Sequence, residues 1–545
     1  MSRRILVAVA WPYASGPLHL GHLGGAYLPP DIFARYHRLV GNHVLMVSGS
    51  DANGTPITVK ADELGVTPRQ VVDRYHPEIL GYWERLGIDF DLFTTTMTEN
   101  HHRVTQDFFI RLLENGYLVK GSSKQFYDPE AGRFLPDRYV EGTCPHCGYP
   151  DARGDQCDNC GRTLDPTDLL EPRSRLSGTT PEQRETEHYF LDLPALKDRL
   201  GVWLESQTTW RKHVKNWALG MLEDIPLRAI TRDIDWGVDL PVDDLGPGKK
   251  IYVWFDAVIG YLSASVEWAS TTDDAAAWEL WWKDPAAESY YFVGKDNIPF
   301  HTVIWPAMLM GHGELNLPTD VPANQYITFG GAKASKSKGI GHSLGWYIER
   351  LQPDALRYAI ASVLPEQQDS EVTDTEIIRR VNEELVSTWG NLVNRVLSMS
   401  ERNFDGRVPE PGELDDEDQA IVVLGGTTLE TVADHIEKVE LRAGLRAAME
   451  AASEVNAYLN STEPWKLLED EPERAATVLW SAIQAIAAIR VALYPYLPHS
   501  TAEIGEMLGI GPEVAGWAAT GVPGGTVLGE IRPVFVKLDA DALDD

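Results

Sequence analysis

Two histidines, His19 and His22, stand three residues apart at the end of the stretch 10–22, AWPYASGPLHLGH, which continues the apolar run 5–10. A short β-type run, Pro and Gly punctuation, and then the start of a long helical pattern predict the first strand, loop and helix of a nucleotide-binding sheet. At a helix N-terminus the free backbone N–H groups and the dipole favour phosphate, and residues three apart share one helical face. The chemistry this offers is two imidazoles on a polyphosphate. For so short a motif, two structural histidines facing along a helix are the alternative.

Three further groups could do chemistry. Asp51 ends a buried β-type run at 44–48, where open α/β sheets bind ligands, so it can meet a cation such as an α-amine. It would serve equally as a turn residue capping the next helix. All the cysteines fall together, as Cys144-Pro-His-Cys147 and Cys157-Asp-Asn-Cys160, each hook followed by glycine (Gly148, Gly161). In a chain with no export signal this spacing predicts one zinc ion held by four thiolates rather than disulfides. With four sulfur ligands no position is left for water, so the metal is expected to be structural and His146 a bystander. Finally, Lys333, Lys336 and Lys338 crowd a Gly- and Ser-rich loop at 330–339 in a chain sparing with lysine, which reads as an anion clamp.

The elements that must position these groups follow an α/β rhythm that is interrupted and resumed. Helical patterns run over 20–40, 70–86 and 102–115; residues 121–226 break the rhythm; strands are then expected at 251–255, ending at Asp256-Ala257, and at 290–293, ending at Gly294-Lys295-Asp296. A helix over 300–310 carries His301. The aromatic residues Trp11, Tyr13, Trp254, Tyr261 and Trp305, set at strand ends around the phosphate loop, form a credible apolar pocket. From 373 onward the apolar spacing is helical, as in an antiparallel bundle, with a β-type return at 525–538. The expected divisions are 1–116, 117–230, 231–325, 326–372 and 373–545.

Composition bounds the reading without narrowing it to one partner. A chain of 545 residues with 43% apolar residues must hold several cores. Its net charge of −33 argues naively against nucleic acid, but binding depends on patches, and an evenly acidic surface also fits high salt, where counterions screen self-repulsion. No export signal is visible, so a cytoplasmic location is expected. The most membrane-like stretch, 475–493, is interrupted by Ser481, Gln484 and Arg490 and reads as a buried bundle helix.

Taken together, the His-Leu-Gly-His and Lys-Ala-Ser-Lys-Ser motifs, the split sheet and the helical bundle resemble the class I aminoacyl-tRNA synthetases, and among them the methionyl family. Trp-Pro-Tyr-Ala (11–14), Gly-Thr-Pro-Ile (54–57), Phe-Leu-Pro-Asp-Arg-Tyr-Val (134–140), Tyr-Val-Trp-Phe-Asp-Ala (252–257), Gly-Lys-Asp-Asn-Ile-Pro-Phe-His (294–301) and the double Cys-x-x-Cys knuckle extend the resemblance from residue 5 to the end. It implies an α/β protein: a split Rossmann-type catalytic domain with a zinc-bearing insertion, a lysine-loop region, and an all-α anticodon-binding bundle. It implies activation of methionine with Mg-ATP and transfer to tRNA(Met). His19, His22, Lys333 and Lys336 would be catalytic, with Lys295 and Asp296 also on ATP. Asp51 would pair with the α-ammonium group, and Trp11, Tyr13, Trp254, Ala257, Tyr261, Asn297 and His301 would bind methionine. Asn391, Arg395 and Trp465 would read the anticodon, and a monomer is expected. Ala334, Asn53 and Val258 depart from the family's usual residues. The alternatives are another apolar amino acid as substrate, or a non-catalytic tRNA-binding relative.

Overall fold

The computed structural model describes residues 2–154, 157, 159, 160, 162, 164–329 and 341–544, together with the backbone of 332–333. Five parallel strands make the central sheet: β1 (Arg4–Val9), β2 (His43–Ser50), β3 (Leu92–Thr95), β4 (Glu288–Gly294) and β5 (Ala323–Asn324), in the order β5-β4-β1-β2-β3. Val7 lies opposite Met46 on one side and Tyr290 on the other. The run Ile5–Val9 is wholly buried, as expected of a strand covered on both faces. Strand order reverses between β1 and β4. A crevice at the carboxyl ends of these two strands is therefore where a ligand belongs.

The helix after β1 is not continuous. Leu20–His22 is α, Leu23–Tyr27 widens to a π turn, and Leu28–Leu39 resumes the α form. Pro29 and Pro30 supply the reason: lacking N–H groups, they cannot bond back to the carbonyls of Gly25 and Ala26. Asn324 of β5 donates to the Gly25 carbonyl instead, at 3.2 Å. Gly24 is required here, because a Cβ would lie 2.4 Å from Ile327 and 2.8 Å from Ile360.

Between β3 and β4 a long antiparallel ladder, Leu118–Asp128 against Glu182–Leu191, runs from the Leu118–Leu191 pair in the core to the Tyr127–Glu182 pair at its far end. Beyond that end, Val140–Thr143 pairs with Ala152–Arg153 and Leu170–Ser174 around the cysteine hooks. The expected strand at 251–255 is not observed as such. Lys249–Ile251 pairs with Thr231–Asp233, with a single further bridge between Lys250 and Asp239, and Val253 already opens the helix Val253–Ser270. This helix is buried on nearly every face, so its apolar residues are continuous rather than periodic, and a continuous run does not distinguish strand from helix.

The C-terminal half contains the helices Asn391–Asn403, Asp416–Glu437, Leu441–Thr462, Pro472–Leu493 and Pro498–Met507. Pro472–Leu493 is long and apolar enough to cross a membrane, and 94% of its most apolar window is buried inside the protein. Its polar residues bond internally: Gln484 exchanges hydrogen bonds with the backbone of Val522, and Arg490 donates to the carbonyls of Thr501 and Pro512. The β-type return at 525–538 forms no strand beyond a single bridge between Arg407 and Val527. Pro533 cannot donate to a ladder, and side chains hold the backbone instead, with Asn382 bonded to both the N–H and the C=O of Leu538.

Buried charge ties the sheet to the bundle. Arg357, on Pro353–Ala361, meets the Asp31 carboxylate at 2.7 Å and donates to the carbonyls of Tyr496, Leu86 and Pro495. Both side chains are fully buried. Burial alone would raise the Asp31 pKa, but the charges of Arg35 and Arg357 outweigh it and hold the carboxyl below its ordinary value.

Candidate active site

A cavity of about 880 Å³ opens at the carboxyl ends of β1 and β4. His19, His22, Trp11, Tyr13, Asp51, Trp254, Ala257, Tyr261, Asp296, Asn297 and His301 all line it, although they come from four separate stretches of the chain. His19 has extended backbone angles and precedes the helical turn, and its N–H donates to His22 Nδ1 at 3.1 Å. The two rings lie 3.7 Å apart, centre to centre. Gly21 permits this, since a Cβ there would sit 2.9 Å from the His19 ring.

One helix face carries much of the apolar wall. Trp254, Ala257 and Tyr261 are spaced three and four residues apart on Val253–Ser270, so they project to the same side. Trp254 stacks on Phe300 at 4.1 Å and meets Tyr13 edge-on at 6.4 Å. Trp11 fits between two glycines: a Cβ on Gly49 would lie 2.2 Å from its ring, and one on Gly260 would lie 2.7 Å away. His301 Nδ1 lies 2.9 Å from the Asn297 carbonyl, which can only accept, so Nδ1 carries a proton. Burial pushes the His301 pKa down to about 4, so the ring is neutral at pH 7 and Nε2 accepts from Tyr261 Oη at 2.7 Å. The pocket thus has an aromatic, uncharged end.

Its charged end is Asp51. The backbone of Asp51 is fixed by hydrogen bonds between Asp51 N–H and the Pro12 carbonyl and between Ala14 N–H and the Asp51 carbonyl. Burial, reinforced by the charge of Asp256, holds its pKa well above the usual carboxylate value. A cationic group entering the cavity would offset that cost.

Lys295 and Asp296 close the end of β4, but Lys295 does not line the cavity. Its ammonium lies 2.7 Å from Asp369 and 3.7 Å from the centre of the Tyr326 ring, while Asp296 accepts from Tyr326 Oη. The side chains of Lys333 and Lys336, like Ala334 and Lys338, lie outside the described residues.

The four cysteine sulfurs lie within 4.8 Å of one another, with 4.0 Å between Cys144 and Cys160 and 3.6 Å between Cys147 and Cys157. Disulfide sulfurs lie about 2.05 Å apart. A tetrahedron of thiolates at about 2.3 Å from a shared ion has edges near 3.8 Å. The cluster therefore fits a metal ion. The Tyr149 backbone N–H and then the Asn159 amide pull Cys147 down to about 6, towards the thiolate form that a metal needs. Gly148, with φ +73°, turns the backbone at the first hook; Gly161 lies outside the described residues.

In the bundle, the Arg395 guanidinium lies 5.3 Å from the Trp465 ring centre, and Trp465 is 39% exposed. Asn391 sits one turn before Arg395 on the same helix, and it is also exposed. Several residues of the main site carry no assigned role in the sequence reading. Asp137 and Arg138 reach the cavity wall from the insertion, and their signal was the motif at 134–140. Asp256 and His101 lie behind Asp51; Asp256 falls in the motif at 252–257, and no local pattern marks His101.

A parallel sheet whose order reverses at β1 and β4, with a His-x-Gly-His turn and a cavity at that reversal, defines a class I aminoacyl-tRNA synthetase catalytic domain. Residues 5–397 match the family model for class I tRNA synthetases (M), and residues 408–537 match the anticodon-binding domain of methionyl tRNA ligase. The chain belongs to the methionyl-tRNA synthetase family. It is 53% identical over 521 residues to the methionine–tRNA ligase of Roseiflexus castenholzii, covering 93% of this chain and 87% of that protein. It is 47% identical over 578 residues to that of Thermomicrobium roseum, covering 100% and 98%. The crystal structure of Mycobacterium tuberculosis methionyl-tRNA synthetase bound by methionyl-adenylate superposes with a TM-score of 0.81 at 26% identity, covering 98% of this chain and 100% of that one.

Proposed function

We propose that the protein is a methionine–tRNA ligase that activates methionine with Mg-ATP and transfers it to the terminal ribose of tRNA(Met). The observation that carries this reading is a single cavity lined by an imidazole pair, a buried carboxylate and an uncharged aromatic wall. A zwitterionic amino acid with an apolar side chain fits between them. The relatives' names and the adenylate-bound structure of the Mycobacterium enzyme support the same substrate.

In this reading Asp51 binds the α-ammonium group, and Trp11, Tyr13, Trp254, Ala257, Tyr261, Asn297 and His301 surround the side chain. A thioether offers no strong hydrogen-bonding group, so selection rests on shape and aromatic contact with sulfur, the Tyr261 hydroxyl being committed to His301. The methionine carboxylate attacks the α-phosphorus of ATP, and the bond to the departing pyrophosphate breaks. Such a transfer requires alignment and charge stabilisation more than covalent help. His19 and His22 hold the phosphates, Lys295 and Asp296 act at the nucleotide, and Lys333 and Lys336 close over the pyrophosphate. Lys336 contributes most as charge grows on the leaving oxygens. The ribose hydroxyl of tRNA then attacks the activated carbonyl and AMP leaves. Asn391, Arg395 and Trp465 read unpaired anticodon bases by hydrogen bonding and stacking.

Cys144, Cys147, Cys157 and Cys160 would hold a zinc ion that stabilises the knuckle and takes no part in the reaction. The enzyme acts as a cytoplasmic monomer. The test is methionine-dependent ATP–pyrophosphate exchange on the wild type and Lys336→Ala, followed by charging of initiator tRNA. Wild type should exchange only with methionine, and the variant about a hundredfold more slowly. Exchange that ignores methionine, or that is unaffected by the substitution, overturns the assignment. Metal analysis should find one zinc per chain in the wild type and none in Cys157→Ser.

A further inference from the structure

Behind the wall that presents Asp51 lies a second buried carboxylate. Asp256, on Val253–Ser270, is completely buried, and its Oδ1 meets no hydrogen-bonding partner among the described residues. Asn53 connects the two acids: its backbone N–H donates to Asp51 Oδ1 at 3.1 Å, and its side-chain amide donates to Asp256 Oδ2 at 2.6 Å. On the far side, His101 Nε2 stands 3.8 Å from Asp256 Oδ2.

The proton on His101 can be placed. Ser263 Oγ donates to the Gly260 carbonyl at 3.0 Å, so it accepts from His101 Nδ1 at 2.8 Å. The Nε2 of that ring faces the Thr105 hydroxyl, at 3.4 Å, as well as the Asp256 carboxylate. The other titratable groups facing this cluster are Tyr13 beside Asp51, Tyr261 on the Asp256 helix, and His102 next to His101.

Resting on the reading of Asp51 as the partner of the substrate's α-ammonium group, we propose that Asp256 is a positioning residue for amino-acid capture. Through Asn53 and its own negative charge it sets both the orientation and the charge of Asp51, so that methionine binding is coupled to proton release. Burial and the neighbouring like charge favour the protonated form of Asp51 in the empty site. The incoming ammonium group requires the ionised form and displaces that proton. Asp256→Asn keeps the side-chain shape and the acceptor for Asn53, but removes the like charge.

The experiment measures methionine-dependent exchange from pH 5.5 to 8.5 on wild type, Asp256→Asn and Asn53→Ala, together with calorimetry of methionine binding to wild type in buffers of differing ionisation enthalpy. In Asp256→Asn the acid limb of kcat/KM for methionine should move about one pH unit lower, with the limb for ATP in place. In Asn53→Ala the KM for methionine should rise about tenfold and kcat much less. Wild type should release a proton on binding methionine at the acid end of this range. A uniform loss with an unmoved limb, or binding without proton release, reduces Asp256 to a packing role and overturns the proposal. The calorimetry needs no variant to fold. Wild type that shows no methionine-dependent exchange overturns the parent assignment instead.

Discussion

His301 illustrates how a single side chain fixes both specificity and pH dependence. Its ring binds a proton near 6.5 when free but only near 4 in the buried site. The unfolded chain therefore binds more protons than the folded one between these values, so stability is complete above about 6.5 and falls as pH drops towards 4. Urea unfolding at pH 7.5 and pH 5 should show this drop in wild type, and His301→Gln should shrink it by about 2 kcal/mol. Tyr261 was legible from the sequence as one of an aromatic set, and His301 through the family resemblance. Asp256 was not: it was expected only as the end of a strand, whereas the helix turns it inward against Asn53. The partner that identifies it comes from 203 residues earlier in the chain.

At the scale of elements, close approach decides more than propensity. Trp11 occupies a slot whose two sides are glycines from different elements, β2 and the helix Val253–Ser270. Gly260→Ala introduces a methyl group 2.7 Å from a ring that has no room to retreat towards Gly49. The expected cost is about 1–3 kcal/mol, read as a lower unfolding midpoint with a raised KM for methionine. The main strands could be read from sequence because parallel, doubly covered strands are continuous apolar runs. The same feature caused the misreading at 251–255. The short β3 and β5 carried too few residues to declare themselves, and the π turn at Leu23–Tyr27 depends on two prolines whose effect is felt four residues upstream.

At the scale of the molecule, the acidic chain spends several arginines on internal joints. Arg357 joins the helix after β1 to the end of the bundle through one carboxylate and three carbonyls. Arg211 does the same between the insertion, β5 and the Val439 carbonyl. Arg357→Ala strands Asp31 in the interior and should cost about 3–5 kcal/mol in denaturant unfolding, with Asp31→Asn in the same chain recovering part of it. No sequence pattern announces such a joint, since its members are scattered and each resembles an ordinary surface residue. The ladder Leu118–Asp128 and Glu182–Leu191 bears on the geometry of catalysis in another way. Ten paired rungs make it about 30 Å long, rooted in the core and bearing the cysteine knuckle at its tip. Such an arm converts a tilt of about 5° at its base into a travel of about 3 Å at its end, the span of one hydrogen bond. A small change at the root of the ladder therefore has its largest effect at the cysteine knuckle.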